Sequence, residues 1–65
     1  MSTHGARRTP ENIAYVNGAH SVRNNDTALT LEEFAATYSS SSGRVERCYR
    51  RYLEGRTDAL LELTR

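Results

Sequence analysis

Arg44, Arg47, Arg50 and Arg51 stand within eight consecutive residues, and Arg56 follows one turn and a half later. Guanidinium groups at this spacing can grip phosphates, carboxylates or the acceptor edge of guanine, because each offers a planar fork of donors that stays charged. All nine basic residues of the chain are arginine, and five of them lie between Gly43 and Arg56 against only Glu46 and Glu54. The formal net charge is nevertheless only +1. Glu32 and Glu33 precede the basic stretch, so the chain is a charge dipole rather than a uniform polycation.

Other chemistry is sparse. His4 and His20 stand sixteen residues apart in unlike contexts, and no Cys/His cluster adds the further ligands that a metal site needs. No nucleophile–base pair, phosphate-cradling glycine loop or spaced carboxylate pair is present. The expectation is therefore a non-enzymatic chain without metal or cofactor. Cys48 is the one cysteine, which excludes an intrachain disulfide, fits a reducing, cytoplasmic setting and suits a small buried apolar group. No apolar run approaches the ~20 residues of a membrane span.

Sixty-five residues permit one domain. Residues 1–9 are small, polar and basic, and read as a flexible arm; residues 10–65 read as a single small helical domain. Thr9-Pro10-Glu11 opens a helix, with threonine as cap, proline at the first position and an acid in the first turn. Asn17-Gly18 then interrupts Ile13–Val16, which leaves either a short helix or a hairpin, with the hairpin favoured after Ala14. Residues 23–27 form a loop by composition.

Thr30-Leu31-Glu32-Glu33 is a capping box, and Leu31, Phe34, Ala35 and Tyr38 share a face, so a helix is expected at about 31–38. Ser39 to Gly43 ends it, with Ser41 or Ser42 capping the next element. A second helix is expected at about 43–54, its apolar stripe being Val45, Cys48, Tyr49, Tyr52 and Leu53. Gly55 reads as its stop. Thr57-Asp58 caps a short C-terminal helix, 58–63, whose leucines would strap the core. The fold expected is thus mainly α, with a helix-turn-helix core.

Two short helices, the second basic, are what a helix-turn-helix uses to place a helix in the major groove. Phe34 followed by the small Ala35 would let the helices approach, with Val45 and Cys48 pointing inward. Val16-Asn17-Gly18, Thr30-Leu31-Glu32-Glu33-Phe34-Ala35 with Tyr38, Arg44-Val45-Glu46-Arg47 through Arg51, Gly55 and Ala59-Leu60 together resemble the small helix-turn-helix module associated with phage and intron-encoded HNH-type nucleases. The likeness covers about half the chain. Ser39 stands where such turns carry glycine, and Ser40 where they carry Val, Ile or Leu. The resemblance implies a phage- or mobile-element-type DNA-binding protein or transcriptional regulator.

It further implies that Ser41, Ser42, Gly43, Arg47 and Arg50 face double-stranded DNA, with Arg47 reading guanine and Arg44, Arg51 and Ser42 holding phosphates. Glu46 could accept from a cytosine amine or pair with Arg50. The alternative is a solvated arginine face, or a protein-interaction module such as a phage-type inhibitor or adaptor docking an acidic surface of a host protein. A homodimer would also help so small a core to persist and would present two helices to two half-sites.

Overall fold

A computed structural model describes residues 9–37 and 42–65 of the chain. They form three helices: α1, Pro10–Arg23; α2, Leu31–Thr37; and α3, Ser42–Leu63. The fold is mainly α, as the sequence indicates, and it contains no strand among the described residues.

α1 starts as expected. The Asn12 amide donates to the Thr9 hydroxyl at 3.2 Å, with Pro10 at the first position. It does not break at Asn17-Gly18: the hairpin reading is corrected to one helix of 14 residues. Ala14, Gly18 and Val22, four apart, are its buried residues, and burying that stripe outweighs the local turn signal. The true stop comes later. Asn25 adopts φ 62, the Asp26 amide donates to the Ser21 carbonyl at 2.8 Å, and the Asn25 amide donates to Val22 at 3.0 Å. This is a Schellman ending with asparagine in the left-handed position.

α2 opens with the capping box read from the sequence. Thr30 and Glu33 exchange two bonds, amide to carboxylate at 2.9 Å and amide to hydroxyl at 3.1 Å. Its one buried residue is Phe34, however, and Ala35 is exposed, so Ala35 does not mediate a close helix approach. Tyr38 lies outside the described residues.

α3 also departs from expectation. It continues through Gly55 for 22 residues, so the separate helix at 58–63 is its final stretch. Gly55 is a contact point instead of a stop. A Cβ there would sit 2.0 Å from the Tyr15 carbonyl oxygen, and one at Gly18 would sit 2.0 Å from that of Tyr52. Each glycine therefore admits the other helix's backbone, and α1 and α3 cross at this pair. The two helices run in the same sense, since Glu11 neighbours Arg44 and Arg47 while Ser21 bonds Arg56 further along.

The core comprises Ala14, Phe34, Val45, Cys48 and Tyr52, with Leu29 and Tyr49 packed against it. Phe34 lies 5.4 Å from the ring centres of both Tyr49 and Tyr52. The tyrosine hydroxyls are spent on the Leu29 backbone: Tyr49 donates to its carbonyl at 2.8 Å, and its amide donates to Tyr52 at 3.1 Å. Leu29, two residues ahead of α2, is thus clamped to α3. Leu53 is only partly covered, at 38% exposed, and the buried stripe follows Gly55 and Ala59 instead. Leu60, Leu61 and Leu63 are exposed too, so they do not strap the core.

Candidate functional site

The first half of α3 is held by its inner face and leaves its arginines outside. Val45 and Cys48 are buried as expected; Arg44, Arg47 and Arg50, on neighbouring turns, are exposed. Arg44 and Arg47 line a shallow polar hollow with Gly43 and Glu11. A side chain added at Gly43 would meet nothing within 4 Å, so the backbone at the start of α3 is open to an approaching group. The start of a helix presents unpaired amides and a partial positive charge, which favours anions beside these guanidiniums. Ser41 and the side chain of Ser42 lie outside the described residues.

Arg51 is placed differently from its neighbours. Its guanidinium lies 4.7 Å from the ring centre of Tyr15 and pairs with Glu54 on its own helix. Tyr15 in turn donates to the Asp58 carboxylate. That hydrogen bond first, and partial burial second, hold the phenol above its ordinary pKa. Tyr15, Arg51, Glu54 and Asp58 form a polar clasp between α1 and α3, which occupies the cation that sequence reasoning assigned to phosphate. Arg51–Glu54 is the one ion pair among the described residues, so Glu46 and Arg50 form none.

Arg56 is also structural. It donates to the Ser21 hydroxyl at 2.6 Å and to the Asp26 carbonyl at 3.1 Å, binding α3 to the Schellman turn. Of the five arginines between Gly43 and Arg56, three are therefore available to a partner. Sequence spacing alone did not separate the two groups; Tyr15 beside Arg51, and Ser21 and Asp26 beside Arg56, lie on α1 or the turn that ends it, thirty or more residues away.

No family model matches the chain, and neither a curated protein nor a solved structure matches it.

Among the described residues no three His, Cys, Asp or Glu side chains converge as metal ligands. No described helix is long and apolar enough to cross a membrane. A second cleft of ≈ 290 Å³ lies between α1 and α2, with Leu29, Phe34 and Tyr52 as its apolar floor and Asn17, Ser21 and Thr37 on its rim. Its polar groups include no paired acid and base.

Proposed function

We propose that the chain is a small, non-enzymatic protein that binds double-stranded DNA with the first half of α3 in the major groove. The observation that supports it is the exposure of Arg44, Arg47 and Arg50, without ion-pair partners among the described residues, at the start of a 22-residue helix whose opposite face is fixed in the core. Arg47 reads a guanine, Arg44 and Arg50 bind phosphates, and the open backbone at Gly43 accepts a third phosphate. Ser41 and Ser42 belong to the same end. The phage or mobile-element origin implied by the resemblance fits a compact regulator acting in the cytoplasm.

Selection of binding sites from a random duplex pool tests this. Arg47→Ala should relax preference at one base position by a factor of ~5–100, whereas Arg44→Ala should weaken all sequences alike. An Arg47→Ala protein with unchanged preference contradicts the assignment.

Exposed apolar residues favour a second reading, a protein-interaction module. Ile13 and Val16 on α1 and three leucines at the end of α3 are open, and large exposed apolar groups mark contact surfaces. Under this reading the arginines meet an acidic patch on a partner protein. Charge reversal at Arg44 and Arg47 would then abolish one stoichiometric protein complex that resists nuclease.

A further inference from the structure

The three helices are not held equally. Among the described residues, the backbone of α1 lies close to that of α3 along its length, whereas α2 approaches α3 at few points and α1 at none. Gly18 and Gly55 let α1 and α3 meet backbone to backbone, since a Cβ at either would sit 2.0 Å from the facing carbonyl oxygen. Tyr15 bonds Asp58 across the pair, and Arg56 bonds the Ser21 hydroxyl and the Asp26 carbonyl. None of these ties involves α2.

α2 is attached at two points, and both end on the same two tyrosines. Phe34, its one buried residue, lies 5.4 Å from the ring centres of Tyr49 and Tyr52. Leu29, on the approach to α2, accepts from the Tyr49 hydroxyl at 2.8 Å and donates its amide to the Tyr52 hydroxyl at 3.1 Å. The other residues of α2 are exposed. The capping box joins Thr30 to Glu33 and so ties the segment only to itself. A seven-residue helix is well short of the ~12–15 residues at which isolated helices become even marginal in water. Once Phe34 leaves its seat, α2 has nothing left to keep it folded.

We infer that residues 29–37 form a flap that unlatches from the α1–α3 pair as one unit, with Tyr49 and Tyr52 as the latch. This opening is distinct from unfolding of the chain. The glycine crossing, the Tyr15–Asp58 bond and the Arg56 ties are kept in the open form. Opening uncovers the rings of Phe34, Tyr49 and Tyr52, and with them the apolar floor of the cleft between α1 and α2. Arg44, Arg47 and Arg50 belong to the part that stays, so the arginine face is common to both forms. The inference is independent of nucleic-acid binding and stands or falls without it.

Native-state hydrogen exchange on the full chain, followed by NMR at low denaturant concentrations, reads the two openings separately. The amides of Phe34 to Thr37 report the flap, and those of Gly18, Tyr52 and Gly55 report the pair. The flap amides should be at least ~10-fold less protected, with a denaturant dependence smaller than that of the pair but not zero. Tyr15→Phe removes a bond that breaks only when α1 and α3 separate. It should lower protection of the pair ~2–12-fold and leave the flap amides unchanged. Tyr49→Phe removes a bond already broken in the open form, so both sets should fall together by one factor in that same range. Flap amides that match or exceed the pair in protection, or that fall with Tyr15→Phe, overturn the inference by showing one cooperative unit. Flap amides with no denaturant dependence overturn it too, since they would show fraying of α2 in place.

Discussion

Cys48 shows how far a side chain's chemistry is set by its surroundings. The thiol is 1% exposed, and burial raises its pKa, so the reactive thiolate is scarce in the folded protein. A thiol reagent at neutral pH should label it only through opening of the fold, with the rate rising sharply in denaturant; rapid native labelling would contradict the burial. Tyr15 behaves in a related way. Its folded pKa is raised, so the folded chain holds that proton more tightly than the unfolded one. The contribution is present below the ordinary phenol value of about 10 and is lost as pH rises through the higher folded value. Tyr15→Phe should flatten the alkaline limb of stability against pH, and an unaltered limb would exclude the Asp58 bond as its cause. At the site itself, the Glu11 carboxylate lines the hollow beside Arg44 and Arg47. Glu11→Gln should therefore tighten DNA binding roughly two- to fivefold at low salt, as relief of one screened repulsion predicts. Weaker binding would place the DNA elsewhere.

Among the elements, three glycines of α1 and α3 give opposite predictions. Gly18→Ala and Gly55→Ala each force a Cβ to 2.0 Å from a backbone carbonyl, which only separation of the helices relieves. The cost should be about 1–3 kcal/mol or more, exceeding the gain of up to about 1 kcal/mol from alanine's helix propensity. Gly43→Ala meets open space and should stabilise by a few tenths to about 1 kcal/mol. Urea unfolding of the three variants checks the signs, and stabilisation by Gly55→Ala would remove the crossing from the account. The same glycines mark the limit of what local sequence could tell. The Thr9 and Thr30 caps were legible because cap and partner lie three residues apart. Asn17-Gly18 and Gly55 read as breaks because their reason is tertiary: each faces the backbone of a helix distant in sequence. The spacing of Ala14, Gly18 and Val22, with Gly55 and Ala59 on the other helix, was the available signal. Phe34, Val45 and Cys48 were legible as core from periodicity. The exposed leucines were not, since apolar spacing does not say whether anything covers it.

For the whole molecule, the separation of structural from available arginines makes the account quantitative. The polar clasp and the Schellman link occupy Arg51 and Arg56, leaving Arg44, Arg47 and Arg50 for a polyanion. That division was not legible from charge and spacing, because it depends on where α1 packs. The helix-turn-helix geometry proposed for α2 and α3 turns on the four residues between Thr37 and Ser42, which lie outside the described residues. The central claim, that the open arginine face meets DNA, is tested most directly by titrating a labelled duplex over a range of salt concentrations. Three cationic contacts predict that log K falls against log salt with a slope of about −2.7, and that Arg44→Ala makes it shallower by about one. Binding that is absent at low salt, or that does not vary with salt, would contradict it.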